Sequence, residues 1–293
     1  MQRREALQLL SIGALSSLAM NLPDLKKFAD ALPESDKQPA LFIGHGNPMN
    51  VIYDNPFTQT LSSVGKSLEK PKAILVVSAH WLTHGTFVST AVKPETIYDF
   101  GGFPPEMYQI VYPAKGSPES ASLVQQEIKK VAVGTDPEMG LDHGAWTILK
   151  HMWPDADVPV FEMSIDFYKS PQWHYELAQE LKELRKKGIL IIGSGNIVHN
   201  LRRAQFNVPD TQVDDWAKEF DETVKTKILS QDHKALIDYT NLGKSASLAV
   251  PTNDHYLPLL YTLALQDKDE ESSFLFEGFQ NQNVSMRCVK IGK

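Results

Sequence analysis

The stretch Ile189-Leu190-Ile191-Ile192-Gly193-Ser194-Gly195-Asn196-Ile197-Val198-His199 decides the fold. Four consecutive branched apolar residues followed by two glycines describe a strand buried on both faces that ends in a tight turn. Runs of the same kind recur at residues 40–44, 73–79 and 158–165, and two later strands are expected at 273–276 and 284–291. The last of these alternates apolar with polar residues, the pattern of a half-buried edge strand. Helical stripes lie between the runs. Ser170-Pro171 supplies an N-cap and a first-turn proline, Trp173, Leu177, Leu181 and Leu184 form one face, and Gly188 ends the helix. Val213, Trp216, Ala217, Phe220 and Val224 form a second stripe. Strands alternating with helices predict an α/β fold: a single domain with a mostly parallel central sheet flanked by helices.

The bulk chemistry excludes several classes. A formal charge of −7 over 293 residues, with Lys and Arg scattered, argues against a nucleic-acid partner and against a polybasic membrane patch. The single cysteine, Cys288, rules out an intrachain disulfide, a zinc ribbon and an iron–sulfur cluster. Any metal must therefore rest on nitrogen and oxygen. At the start of the chain, Arg3 and Arg4 precede an uncharged run from Ala6 to Met20, and Ala29-Asp30-Ala31 offers a small-x-small cleavage site. Residues 1–38 are expected to be a twin-arginine leader, with 39–293 the functional domain. That makes the periplasm the expected location, the alternative being a cytoplasmic protein with an amphipathic first helix. No stable membrane association is expected after processing.

Five of the nine histidines stand where α/β proteins build sites. His45 and His80 follow buried strands directly, and His199 follows a third through its glycine turn, so the three should converge on the carboxyl edge of a parallel sheet. His255, in Thr252-Asn253-Asp254-His255-Tyr256, and His143, in Leu141-Asp142-His143-Gly144, each open a helix. Several imidazoles at one site favour Zn, Fe, Cu or Ni over Mg or Ca. His84, His151, His174 and His233 fall in loop or helix surroundings and read as structural or surface residues. Gly193-Ser194-Gly195 has neither dinucleotide-binding spacing nor a nucleophile elbow.

At these residues the chain resembles the LigB-type extradiol dioxygenases, in their 4,5-DOPA branch. The matching stretches are Gly44-His45-Gly46-Asn47-Pro48, Ser78-Ala79-His80-Trp81, Tyr98-Asp99-Phe100-Gly101-Gly102-Phe103-Pro104-Pro105, Leu141-Asp142-His143-Gly144-Ala145-Trp146, Gly193-Ser194-Gly195-Asn196 with His199-Asn200-Leu201, and Asn253-Asp254-His255-Tyr256. The resemblance implies His45, His80 and His255 as metal ligands. It implies His199 as either a further zinc ligand or an acid/base, and His143 as a catalytic residue lining the same pocket. Better-known members of the wider class complete the site with a glutamate; a histidine here raises the site charge by one and leaves both Zn(2+) and Fe(2+) open. The implied reaction is ring opening of a catechol by O2 at one mononuclear divalent metal. Phe100, Phe103, Tyr108 and Trp146 are candidates for the wall that excludes water. A histidine–zinc hydrolase or lyase, or a zinc-binding protein on the same fold, is the alternative from the residues alone.

The leader generates its own test. A reporter fused after residue 38 should be exported with Arg3 and Arg4 intact and retained in the cytoplasm when both are replaced by lysine, as read by cell fractionation.

Overall fold

The computed structural model describes residues 37–206 and 208–293. Its central sheet has six strands: β1 (Ala40–Gly44), β2 (Ala73–Ser78), β3 (Val160–Glu162), β4 (Ile189–Gly195), β5 (Ser272–Phe276) and β6 (Cys288–Ile291), in the order β3-β2-β4-β1-β6-β5. The first four are mutually parallel, and β6 runs antiparallel to both β1 and β5. Every residue of β1, β2 and β4 is buried, which is why these stretches are continuously apolar. Helices α1 (Pro56–Ser67), α2 (His143–Met152), α3 (Pro171–Gln179), α4 (Asp215–Leu229) and α5 (Leu257–Ala264) flank the sheet. The α/β architecture with a mostly parallel sheet is as expected.

Three local expectations need correction. Residues 284–291 do not form an edge strand: Val284–Ser285 pairs with Phe279–Gln280 in a separate hairpin, and only β6 joins the main sheet, between β1 and β5. The polar alternation misled because Arg287 is buried, its charge met by Asp221 and Glu222 rather than by water. The run 158–165 splits after β3, and Ile165–Asp166 pairs with Leu82–Thr83 outside the main sheet. The helix expected over 170–188 begins as foreseen, with Ser170 Oγ accepting from Trp173 N, but breaks at Glu180 before resuming over Lys182–Lys186.

The leader reading falls outside the described residues except for Lys37 and Gln38, and both of these belong to the folded domain. Gln38 N donates to Arg185 O (3.0 Å), and Arg185 Nε returns a bond to Gln38 O (2.7 Å). Among the described residues no helix is long and apolar enough to cross a membrane.

Arg185 ties the amino-terminal end of the sheet together. It is buried, forks onto both oxygens of Glu270 (2.7 and 2.8 Å), and donates to Leu265 O at 2.8 Å. Removing the guanidinium leaves Glu270 with Lys37 (2.9 Å) as its remaining cation and strands three carbonyls, those of Gln38, Leu265 and Ile291. Arg185→Ala should cost about 3–5 kcal/mol of stability, measured by urea denaturation, and should leave metal binding at the far end of the strands unaltered.

Candidate metal centre

The parallel strands β1, β2 and β4 end side by side, and His45, His80 and His199 leave them at the same edge. Register makes this possible: Gly44 pairs with Gly195, and Ser78 with Ser194. Helix α5 lies against β4 so closely that a Cβ on Gly193 would sit 2.2 Å from Pro258 O. One on Gly195 would sit 2.2 Å from His255 O, the carbonyl that also accepts from Asn196 N (2.9 Å). The two glycines thus let the turn before α5 deliver His255 to the strand ends. His143 arrives as the first residue of α2, whose N-cap Asp142 accepts from Ala145 N at 3.1 Å.

Hydrogen bonds set which ring nitrogen of three of these histidines is free. Ser194 Oγ donates its only proton to Gly144 O (2.6 Å), so the 2.9 Å contact with His45 has Nδ1–H as donor. That leaves the lone pair on His45 Nε2. His255 donates Nδ1–H to the Asp254 carboxylate, and its Nε2 is buried with no hydrogen-bond partner. Asp99 accepts from both the backbone N and the Nδ1–H of His143, each at 2.9 Å. A carboxylate behind an imidazole that faces a site is the arrangement expected behind metal-ligating histidines.

The donor atoms can serve a metal. His45 Nε2 and His80 Nε2 approach to 3.1 Å. Donor nitrogens of His45, His80 and His143 lie within 4.8 Å of one another, as do the donor atoms of His199, Asp254 and His255. Two imidazoles sharing one ion at a near-tetrahedral angle have ring centres about 5 Å apart, given metal–nitrogen bonds of roughly 2.1 Å. The pairs among His45, His80 and His255 measure 4.9, 5.3 and 4.9 Å. His80 and His143 are closer, at 3.9 Å. The His199 ring stacks on His255 at 3.5 Å and 7°, so their in-plane lone pairs lie in near-parallel planes and do not meet at one point.

All five histidines line one cavity of about 290 Å³. Larger surface depressions of about 940 and 510 Å³ have no such convergence of histidines. Of the expected aromatic wall, Phe100 and Phe103 face the cavity. Trp146 is fully buried behind Phe100 with its Nε1–H on Ile97 O, and Tyr108 packs on Phe100 from the outside. The other four histidines stay out of the site: His151 donates to Asn50 O, His174 bonds Tyr261, His233 bonds Tyr175 and Gln266, and His84 packs on Tyr168. The reading of residue types alone passed over Asp99, Asp254 and Ser194, which orient the rings, and Leu201, Phe206 and Asn281, which complete the lining. Asp254 could have been seen from its place beside His255; Asn281 carried no local signal.

Burial, reinforced by neighbouring imidazoles, drives the pKa values of His45 and His80 well below the ordinary value and brings His199 down to about 3. Burial works to raise Asp99, but its bonds from His143 prevail and hold it low. Behind the site, Ser78 Oγ donates to Asp142 (2.7 Å) and Asp142 N donates to Glu162 (2.9 Å). Burial pushes both of these carboxyls up.

Comparison with known proteins agrees with this geometry. The model of the catalytic LigB subunit of aromatic ring-opening dioxygenase matches residues 39–287. The 4,5-DOPA dioxygenase extradiol of Escherichia coli K12 is 42% identical over 267 residues, covering 90% of this chain and 98% of its own length. The protein of the same name from Beta vulgaris is 36% identical over 264 residues, covering 88% and 97%. The crystal structure of an uncharacterized Escherichia coli K12 protein superposes with a TM-score of 0.77 at 40% identity, covering 87% of this chain and 100% of that one.

Linkage turns the depressed histidines into a pH dependence. The unfolded chain takes up protons near pH ~6.5, while the folded chain refuses them, in the case of His199 until about 3. Their contribution to stability is present above the unfolded value and lost as pH falls below it. Chelator-treated protein should lose Tm steadily between about pH 7 and 4.5, and His199→Gln should lose it less steeply, as followed by calorimetry.

Proposed function

We propose, for a chain that belongs to the LigB family of aromatic ring-opening dioxygenases, that its substrate is a DOPA-like catechol, opened by O2 beside rather than between the two hydroxyls. The enzyme is an extradiol-type dioxygenase. The observation that carries the finer reading is the convergence of five imidazoles on one small cavity, with His255 Nε2 buried and unpartnered.

In this reading His45, His80 and His255 hold one divalent metal, a choice supported by their ring separations and by the tautomers that Ser194 and Asp254 impose. The bound metal supplies Lewis acidity toward the diol oxygens and, as Fe(II), the electron transfer that O2 chemistry needs. Zn(II) suits the same three nitrogens but has no redox chemistry, which makes it a resting occupant.

The remaining side chains handle protons and water. His199, stacked on His255 and lining the cavity, is suited to take the proton of one catechol hydroxyl and to return it after the ring has opened. The negative charge of the resulting catecholate offsets the burial that otherwise disfavours protonation of His199. His143, whose Nδ1–H is committed to Asp99, turns its other nitrogen to the cavity as a second proton carrier. Phe100, Phe103, Leu201 and Phe206 form the apolar wall that limits bulk water. Arg3 and Arg4 with the uncharged run after them support action in the periplasm.

The ligand and acid/base roles separate in mutants. His45→Ala, His80→Ala and His255→Ala should each lose most bound metal and all ring cleavage. His199→Gln should keep its metal and lower kcat roughly 10²–10⁴-fold. Metal analysis beside an oxygen-electrode assay on L-DOPA decides both: stoichiometric metal in one of the first three, or lost metal in the last, would overturn the assignment.

A further inference from the structure

Besides its histidines, the cavity is lined by three polar side chains, Asn47, Asp99 and Asn281. Two have their acceptor oxygens already engaged. Asn47 Oδ1 accepts from Met49 N (2.9 Å) as the cap of a short helical turn, and Asp99 holds His143. The carboxamide of Asn281 forms no hydrogen bond among the described residues, although its backbone carbonyl does.

The chain holds Asn281 in place against conformational preference. Asn281 and Gln282 both adopt positive φ, 52° and 72°, in the turn that links Phe279–Gln280 to Val284–Ser285. Asn tolerates this region, but Gln does so rarely, and a turn that only had to close would favour glycine. The strain is fixed from three sides. Gln280 and Asn50 exchange side-chain amide bonds (2.9 and 2.8 Å), Gln205 N donates to Asn281 O (3.1 Å), and Asp214 N donates to Gln282 O (3.0 Å). Non-glycine residues over-determined in such a conformation concentrate at ligand sites. The carbonyls of Asn281 and Gln282 are thus engaged, while Asn281 lines the cavity with its donor-and-acceptor carboxamide uncommitted. Neither Lys nor Arg lines that cavity, so a polar group on a bound ring meets a neutral amide there rather than a cation.

We infer that Asn281 is a specificity-determining residue whose carboxamide hydrogen-bonds the polar side chain of the catechol and so selects substituted catechols over catechol itself. This rests on the ring-opening reading above. The test is anaerobic calorimetric titration of Zn(II)-loaded protein with L-DOPA and with unsubstituted catechol, for the wild type, Asn281→Gly and Asn281→Asp. Glycine removes the amide while accepting the positive φ, so the turn keeps its shape. The wild type should bind L-DOPA about tenfold more tightly than catechol, the worth of one well-placed hydrogen bond. In Asn281→Gly that ratio should fall to near one, with KM for L-DOPA in the Fe(II) enzyme rising in step and kcat following only weakly. Asn281→Asp, which keeps the turn and exchanges donors for a charge, should also shift the ratio. A wild type without the preference, a variant that retains it, or an equal loss of both affinities would overturn the inference. A wild type that binds both compounds but consumes no O2 with either would instead reject the ring-opening reading, while the binding ratio would still judge Asn281.

Discussion

Everything at this site depends on the parallel register of β1 against β4, which sets Gly44 beside Gly195 and Ile43 beside Ser194. Parallel strands end at a common edge, so side chains far apart in sequence meet there without any long excursion of the chain. A slip of one residue would exchange the two faces of the strand and take Ser194 away from His45. The hydroxyl of Ser194, spent on Gly144 O, then settles the tautomer of His45 by elimination. One strand pairing therefore determines both where an imidazole sits and which of its nitrogens is free.

Burying so many ionisable groups together is costly unless each is answered. The fold answers with carboxylates for His143 and His255 and a hydroxyl for His45, whose own ring burial keeps neutral. Neutral rings with lone pairs turned inward are what a cation requires, and the unpartnered Nε2 of His255 is the group left to be satisfied. The same logic runs through the opposite end of the sheet. There Arg185 is buried against Glu270 and three carbonyls, and it stabilises the architecture without taking part in the chemistry.

Much of this was legible in the residues because burial on both faces forces continuous apolar runs. Residues 40–44 and 189–193 could hardly be anything but interior strands, and a histidine after each pointed to one edge. Other features were illegible for equally physical reasons. Arg287 looks like a solvent-facing residue because nothing near it in sequence announces Asp221, its distant partner. Asn281 sits in an ordinary polar run, Gln280-Asn281-Gln282-Asn283, and its place in the cavity comes from a hairpin pinned to Asn50 and Asp214. The break at Glu180 is also invisible to periodicity, since the apolar stripe continues across it through Leu181 and Leu184.

The sequence by itself determined the α/β class, the mostly parallel sheet and the five histidines of the site. These are properties of local pattern: apolar periodicity, glycine turns and residue type. Only the tertiary structure decided that β6 lies inside the sheet, that His199 stacks on His255 rather than converging with it, and that Ser194, Asp254 and Asp99 orient the rings. Each of those is a relation of distance and angle between residues remote in the chain or turned by their surroundings, and such a relation has no value until the chain is packed.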